Sequence, residues 1–274
     1  MPKKDKYAFI VGKGDLVNSV ITKAKASNLN FIVGGIKGYS EFLFVNRHKH
    51  FWFFLGQVYN LLQQLKEHQV TKVVLLGAIR RPSLFSLKLD SLGKKIIKKY
   101  VAAGDNSLLS LLIDEFHSYG FEVVGAHEID PSILAQNKLY VGSTNYQDYH
   151  KDIVDGFNFA KKISVFDIGQ SLIYQQGMVI ALEAVEGTKA MILRSKKLLK
   201  KEGPKGLLIK VKKINQTSKV DLPTIGPKTV IQAKKVGLAG IVIEAENTII
   251  LKEVETLALA KKNNIFILGM QYLK

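Results

Sequence analysis

Short apolar runs alternate with amphipathic segments along the first half of the chain. The apolar runs predict buried strands near residues 7–11, 30–34, 72–77 and 121–124. Apolar positions at helical spacing predict helices near residues 15–26, 57–68 and 104–119. Because strands and helices alternate at this spacing, the pattern favours βαβ units around a parallel sheet.

The second half has the same α/β character. Strand patterns occur at residues 171–174, 178–183, 207–211, 239–243 and 265–268, and helix patterns at 148–162, 188–201, 227–236 and 252–263. Residues 137–155 are polar and rich in turn-forming residues, which is typical of a linker. We therefore predict two α/β domains, residues 1–140, which are Rossmann-like, and residues 148–274.

Composition limits the chemistry available to these domains. The chain has 274 residues, 47% of them hydrophobic, and contains no Cys. The hydrophobic content excludes a disordered chain, and the missing Cys excludes disulfides, thiolate nucleophiles and Cys-ligated zinc. No apolar run reaches the ~18 residues that cross a bilayer, and the N-terminus does not form a secretory signal. We therefore expect a soluble, cytoplasmic protein.

The charge balance is strongly basic and unevenly distributed. Forty Lys and Arg residues against 23 Asp and Glu residues give a net charge of +17. Residues 189–235 hold 14 of these cations and only two acids, Glu202 and Asp221, so this segment contributes +12. A basic surface of this kind predicts an anionic partner, and nucleic acid, anionic lipid and a nucleotide-like substrate all qualify.

A glycine-rich turn near the start resembles a dinucleotide-binding motif only in part. Gly12 and Gly14 join a strand to a helix, but Val17 replaces the third glycine and no acid follows the second strand. A tight turn is therefore favoured over an NAD site. Gly14 and Asp15 stay candidates for a phosphate or uracil contact at the start of the helix.

A histidine pair precedes the most aromatic run of the chain. His48 and His50 are spaced like two ligands on one strand face, but no third ligand is nearby in the sequence, so surface positions are favoured. Residues 51–55 favour a buried strand. The alternative for this run is an acyl-chain or membrane contact beside Lys49.

Two stretches of the second half combine groups that suit phosphate chemistry. In the first, a strand leads to Glu183 and Glu186, Gly187 allows a turn, and Thr188 can cap the following helix. The N–H groups and dipole of such a helix start attract an anion. An ordinary capped helix with two solvated glutamates explains this stretch equally well.

The second stretch places Asp221 among several cations, including Lys210. Positive neighbours should keep Asp221 ionised, which suits metal binding or activation of water better than proton donation. Pro227 suits the first position of a helix whose first turn holds Thr229. The alternative is a charged loop whose Asp forms salt bridges. Together the two stretches predict hydrolysis of a phosphoanhydride, with Mg²⁺ neutralising part of its charge.

Short motifs in a fixed order resemble one known enzyme family. Besides the two stretches above, they are residues 12–16, 55–57, 77–82, 104–109, 120–128, 167–170 and 243–245. In this order they resemble the UDP-2,3-diacylglucosamine pyrophosphatases of lipid A synthesis of the LpxI type, which are unrelated to the calcineurin-like metallophosphoesterases. The resemblance covers essentially the whole chain.

This resemblance implies a reaction and a set of site residues. It implies two domains with the substrate between them, and Mg²⁺-dependent hydrolysis of UDP-2,3-diacylglucosamine to UMP and 2,3-diacylglucosamine 1-phosphate (lipid X), with water attacking the β-phosphorus. It implies that Asp221 is catalytic and that Asp221, Glu183 and Glu186 are the candidate metal ligands. The expected substrate contacts are Gly14, Asp15, Gln170, Glu183, Glu186, Gly187, Thr188, Lys210, Gln216, Thr224 and Thr229.

The resemblance also has departures, and other functions compete with it. Lys189, Glu246 and Val17 stand where the family usually has Asp, Gly and Pro. The rivals are a basic nucleic-acid-binding protein, for which no known binding motif is present, and a non-catalytic nucleotide sensor. We expect no nucleic acid partner and an attraction to the anionic cytoplasmic face of the Gram-negative inner membrane, and we leave a homodimer open.

Overall fold

The chain forms two compact units, Met1–Asp130 and Pro131–Lys274. The structure, a computed structural model, describes residues 5–79, 87–103, 108–142, 146–166, 168–214 and 217–272. In these ranges no helix is long and apolar enough to cross a membrane. The two units divide the chain earlier than the sequence pattern suggests, at residue 130 rather than 140.

The first unit is built on a parallel sheet of five strands. They are β1 (Tyr7–Val11), β2 (Phe31–Ile36), β3 (His50–Phe53), β4 (Lys72–Leu76) and β5 (Glu122–Val123). Their spatial order is β3-β2-β1-β4-β5, and each neighbouring pair is parallel. The strand order reverses between β1 and β4, as it does in Rossmann-like folds. The α/β fold predicted for the first domain is confirmed.

Helices connect these strands. Within the described residues they are α1 (Asp15–Ala26), α2 (Phe42–Val45), α3 (Val58–Glu67), α4 (Ser91–Ala103), α5 (Leu108–Ser118) and α6 (Ala126–Ile129). α1 has its predicted bounds, whereas residues 104–107, predicted to begin α5, lie outside the described ones. The sequence pattern does not predict α4. Its Gly93 weakens the helix signal but is needed for packing, because a Cβ there would collide with the Gly56 carbonyl oxygen.

The second unit contains a mixed sheet of six strands and a separate pair. In chain order the strands are β6 (Leu139–Val141), β7 (Ser171–Gln175), β8 (Met178–Leu182), β9 (Leu207–Lys210), β10 (Thr224–Ile225), β11 (Gly240–Glu244), β12 (Ile249–Ile250) and β13 (Phe266–Met270). The large sheet has the order β6-β13-β11-β9-β7-β8, and β10 pairs with β12. Its central strands β13, β11 and β9 are parallel to one another. β6 and β7 are antiparallel to them, and the edge strand β8, which is antiparallel to β7, again runs parallel to them.

Helices cover both faces of this sheet. They are α7 (His150–Ile163), α8 (Gly187–Ser195), α9 (Pro227–Val236) and α10 (Glu253–Lys262). Phe157 of α7 packs on one face with Leu172 and Ile209. Side chains of α8, α9 and α10 form the cluster on the other face with alternate strand residues such as Leu208. Because successive strand side chains point to opposite faces, both faces are apolar and the polar groups lie where strands end.

Two segments of the second unit differ from their predicted structure. Residues 137–155, expected to be a linker, contain β6, which pairs with β13, and the start of α7. β6 has only three residues and is partly exposed, so it produces no apolar run in the sequence. The helix predicted over 188–201 ends at Ser195. A lysine-rich turn follows it.

Candidate active site

Three neighbouring strands bring polar side chains to one edge of the second sheet. β7 is antiparallel to β8 and β9, so its first residue lies beside the ends of both. Ser171 begins β7 and pairs with Lys210, the last residue of β9. Glu183 directly follows β8. The fold therefore gathers a hydroxyl, an ammonium and a carboxylate from three separate parts of the sequence.

A chain of hydrogen bonds joins these groups. Nζ of Lys210 donates to Oγ of Ser171 at 3.1 Å and to Oγ1 of Thr188 at 2.9 Å. Oγ1 of Thr188 donates in turn to Oε1 of Glu183 at 2.8 Å. Lys210 is 4% exposed and Glu183 is 8% exposed. We call Ser171, Glu183, Thr188 and Lys210 the lysine cluster.

Burial disfavours the protonated, charged form of Lys210. Desolvation lowers the pKa of Lys210, and the carboxylates of Glu183 and Asp221 oppose part of this effect. The neutral hydroxyls that accept its hydrogen bonds are weaker partners than an anion would be. Because its present acceptors are neutral, the ammonium of Lys210 would be stabilised by the charged oxygens of a bound phosphate group.

Two buried oxygen atoms, one in the lysine cluster and one on the residue before Ser171, have no hydrogen-bond partner among the described residues. They are Oε2 of Glu183 and Oε1 of Gln170. Leaving such an oxygen without a partner costs about 1–3 kcal/mol, so the pair points to a ligand. Gly169 allows the close approach of the two segments, because a Cβ there would collide with the carbonyl oxygen of Glu183.

Asp221 extends into solvent from a strained backbone position. Its φ is 61°, in the left-handed region that few residues other than glycine adopt. Val220 and Leu222 on either side are buried and fix the backbone, whereas Asp221 is exposed. Its charge acts on Lys210. Strain held between two buried residues is typical of functional positions, which is consistent with the role predicted for Asp221.

Thr224 and Thr229 shape the segment that follows Asp221. Oγ1 of Thr224 donates to the carbonyl oxygen of Leu222 at 3.1 Å. Oγ1 of Thr229 accepts a hydrogen bond from the N–H of Gly226 at 3.3 Å, which caps the start of α9. Both hydroxyls therefore have local partners, and any contact with a substrate would be in addition to them. Gln216, also predicted to bind substrate, lies outside the described residues.

Glu186 is held by a partner of its own. Its Oε1 accepts hydrogen bonds from Nη2 and Nε of Arg194 at 2.8 and 3.1 Å, and its Oε2 accepts one from the N–H of Ala184 at 3.2 Å. The Arg194 guanidinium keeps the pKa of Glu186 below its usual value. Gly187 begins α8 with a φ of 79°, which confirms the turn predicted there. The prediction that Thr188 caps the helix is wrong, because Glu186 holds the cap position and Thr188 is the second residue of α8. Glu186 thus supports the entry into α8.

In the first unit, Gly14 and Asp15 lie where the strand order reverses. Lys13, after β1, and Ala78, after β4, exchange two backbone hydrogen bonds of 3.0 and 2.8 Å. Gly14 follows with a φ of 124°, and Asp15 is the first residue of α1. Ligands of open α/β sheets bind beside such a reversal, at the carboxyl ends of the strands. The position therefore suits the predicted contact with a phosphate or uracil.

Comparisons with known proteins identify the family. The family model for the LpxI N-terminal domain matches residues 6–133, and that for the LpxI C-terminal domain matches residues 136–268. A relative from Caulobacter vibrioides, UDP-2,3-diacylglucosamine pyrophosphatase LpxI, is 30% identical over 97% of this chain and 97% of its own length. The chain belongs to the LpxI family. The resemblance predicted from the sequence motifs is confirmed.

The three departures from the LpxI motifs lie in different environments. Lys189 lies on α8 and is exposed, so its side chain faces solvent. Val17 is buried and fits against Gly77, where a Cβ would lie 2.7 Å from a methyl carbon of Val17. Glu246 has a φ of 60°, a conformation that suits the glycine that the resemblance implies at this position.

Within the part of the chain that the structure describes, the carboxylates do not form a preformed metal cage. The described residues contain no group of three or more His, Cys, Asp or Glu that could hold an ion. Nδ1 of His48 and of His50 each contact a backbone carbonyl oxygen, at 2.9 and 2.8 Å. Mg²⁺ at phosphate sites often takes one or two carboxylates and completes its shell with water and phosphate oxygens. The unpaired Oε2 of Glu183 fits such a partial site.

The sequence predicts no site role for three residues that support this edge of the sheet, although one of them, Glu244, lies in the motif 243–245. One is Ser171; the others are Lys161 and Glu244, whose Nζ and carboxylate oxygens lie 3.0 Å apart. Glu244 also accepts the N–H of Lys212 at 2.8 Å, and Lys161 donates to the carbonyl oxygen of Lys212 at 3.1 Å. The position of Glu244 at the end of an apolar strand is a sequence signal for its role. The hydrophobic pattern of α7 gives no indication that Lys161 is buried.

Proposed function

We propose that this chain hydrolyses the pyrophosphate of UDP-2,3-diacylglucosamine to UMP and lipid X, a step of lipid A synthesis. The lysine cluster carries this proposal, because a buried ammonium held by two hydroxyls beside an unpaired carboxylate oxygen can receive a phosphate group. The name of the Caulobacter vibrioides relative supports the choice of substrate.

In this proposal the residues have distinct roles. Lys210 binds the phosphate oxygens, and Thr188 turns its hydroxyl from Glu183 to the substrate. Asp221 takes a proton from the attacking water, whose oxygen bonds to the β-phosphorus. The bond from that phosphorus to the bridging oxygen breaks, and UMP leaves with the bridging oxygen. The ionised state of Asp221 that its cationic neighbours favour suits it to accept the proton.

Mg²⁺ is the proposed cofactor, and it would neutralise part of the diphosphate charge. Oε2 of Glu183 is the first candidate ligand because it is buried and has no partner among the described residues. Asp221 is the second candidate because it is exposed and its charge acts on Lys210. Glu186 is the third, since Arg194 already binds it.

We also propose that the chain works at the cytoplasmic face of the inner membrane. The substrate carries two acyl chains, so it resides in a lipid phase. The segment 189–235 contributes +12 to the net charge of +17 and would be attracted to anionic lipid.

Hydrolysis of UDP-2,3-diacylglucosamine by the purified protein with Mg²⁺ tests the proposal. We expect UMP and lipid X from the wild type, and a fall in rate of about 10²–10⁴-fold in Asp221→Asn, which loses the base. Asn tolerates the left-handed conformation, so this variant should fold. Asp155→Asn, which removes an exposed carboxylate on α7, is the control and should keep full activity. No UMP from the wild type refutes the function, whereas full activity in Asp221→Asn refutes only the role of Asp221.

The position of attack can be measured separately. In ¹⁸O-labelled water, attack on the β-phosphorus places the label in lipid X. Label in UMP would contradict this part of the proposal and would leave the hydrolysis itself intact.

A further inference from the structure

An aromatic stripe runs along the edge strand of the first sheet. β3 is the outermost strand, and the rings of His50 and Trp52 on it lie 6.4 Å apart. Trp52 covers Gly35 of β2, where a Cβ would lie 2.7 Å from the indole ring. Phe42 of α2 stacks on Trp52 with the ring centroids 5.7 Å apart. The indole is therefore held between the sheet and a second aromatic ring.

The residues around this stack are apolar and open to solvent. Phe42 is 64% exposed, Leu43 is 72% exposed and Phe54, just after β3, is 40% exposed. We call Phe42, Leu43, Trp52 and Phe54 the aromatic patch. Large apolar side chains grouped at the surface mark contact sites more often than isolated ones do.

Cations lie directly against the aromatic patch. Nζ of Lys37 is 4.6 Å from the ring centroid of Phe54, and Nζ of Lys88 is 5.9 Å from it. Arg47 and Lys49 are exposed in the turn that joins α2 to β3. Apolar groups bordered by cations complement a surface with an apolar interior and an anionic boundary.

We propose that the aromatic patch docks onto an anionic lipid bilayer. Phe42 and Leu43 enter the acyl region, Trp52 lies at the headgroup level and Lys37 and Lys88 meet the lipid phosphates. A single-stranded nucleic acid also binds aromatic residues and cations, but it needs open ring faces on which bases stack. Gly35 and Phe42 lie against the indole of Trp52, and ammonium groups lie over the ring of Phe54. The exposed Leu43 has no ring to offer. These features favour lipid.

Trp52 provides a direct test because it is the only tryptophan of the chain. Its fluorescence can be followed on adding vesicles whose acyl chains are brominated and therefore quench a nearby indole. We expect quenching with phosphatidylglycerol vesicles, a much smaller effect with phosphatidylcholine vesicles, and a loss of the signal at high salt. No substrate is present, so the result does not depend on the proposed hydrolysis.

Two variants separate the patch from other cations. The double variant Phe42→Ser and Leu43→Ser should lower vesicle affinity by about tenfold or more, since it removes the groups that enter the lipid. Lys37→Glu leaves the aromatic stack in place. It should weaken binding to anionic phosphatidylglycerol vesicles and leave binding to phosphatidylcholine vesicles unchanged. Val254→Ser removes an exposed apolar side chain of α10 and is the matched control, with no expected change.

Three outcomes would overturn the proposal. The first is unquenched Trp52 in a protein that still binds anionic vesicles, which would place the contact elsewhere on the chain. The second is unchanged affinity in both variants. The third is quenching or shift of Trp52 fluorescence by oligouridylate without any response to vesicles, which would make the patch a nucleic acid site.

Discussion

Lys210 links the stability of the second unit to pH. Burial lowers its pKa in the folded chain, whereas unfolding returns the pKa to its ordinary value of 10.5. Between the lowered pKa and 10.5 the unfolded chain therefore binds more protons than the folded one. In that window the contribution of Lys210 to the free energy of unfolding rises with pH, and below it the contribution is least favourable.

The variant Lys210→Met removes this titration. We expect the free energy of unfolding of the wild type, minus that of Lys210→Met, to increase as the pH rises from about 7 to about 10. Urea unfolding at several pH values measures it, and other titrating groups cancel in the difference. The variant should also lose hydrolysis. A difference that does not change with pH would contradict a lowered pKa for Lys210.

Glu246 adopts a left-handed backbone conformation, and its exposed side chain gives no structural reason for this. The φ of 60° disfavours a residue with a Cβ, and the family resemblance implies a glycine at this position. Glu246→Gly should therefore raise the free energy of unfolding by about 0.5–1 kcal/mol, as relief of strain exceeds the added freedom of the unfolded chain. Denaturant unfolding checks this. The control Glu255→Gly, inside α10, should lower it by about 1 kcal/mol, and a similar loss in Glu246→Gly would contradict the argument.

At the scale of elements, one buried ion pair ties α7 to the strand ends of the candidate site. Lys161 and Glu244 are both buried, and both also bind the backbone of Lys212. Glu244→Gln leaves the Lys161 charge buried without its counterion, so we expect a loss of about 3–5 kcal/mol in the free energy of unfolding. Thermal or urea unfolding measures the loss.

Two further variants control for this loss. Asp155→Asn breaks the exposed pair with Lys151 and should change stability by less than about 1 kcal/mol. The double variant Lys161→Met and Glu244→Met removes both charges and should recover much of the stability. If Glu244→Gln is no more harmful than Asp155→Asn, the pair does not stabilise the strand ends.

Elements with a clear local signal were predictable, and long-range pairings were not. α1 and α9 follow from helical spacing and from Pro227 at a helix start, and β7, β8 and β9 follow from apolar runs. The sequence does not predict β6, because this strand is three residues long and depends on pairing with β13. In the site, Glu183, Thr188 and Lys210 follow from motifs. Their hydrogen bonds, and the φ of Asp221, depend on strands that only the fold brings together.

At the scale of the whole molecule, charge and catalysis occupy overlapping sequence but different surroundings. Lys210 is buried in the lysine cluster, whereas most of the other cations of residues 189–235 are exposed. Water and salt screen a buried cation little, so it interacts strongly with one bound group. Exposed cations are screened, so each interacts weakly and only their sum is large. Of the cations behind the net charge of +17, Lys210 serves the proposed reaction, whereas the larger, exposed share can interact with an anionic lipid surface.

The four exposed lysines after α8 allow these parts to be separated. Lys196, Lys197, Lys200 and Lys201 are exposed, and replacing all four by Gln leaves the lysine cluster untouched. Each lysine near an anionic bilayer contributes about 1 kcal/mol, so we expect vesicle affinity to fall by about 10²–10³-fold. Hydrolysis of UDP-2,3-diacylglucosamine in neutral detergent micelles should keep the wild-type rate. A loss in micelles equal to the loss on vesicles would instead place these lysines in contact with the substrate, because a neutral micelle offers them no anionic surface.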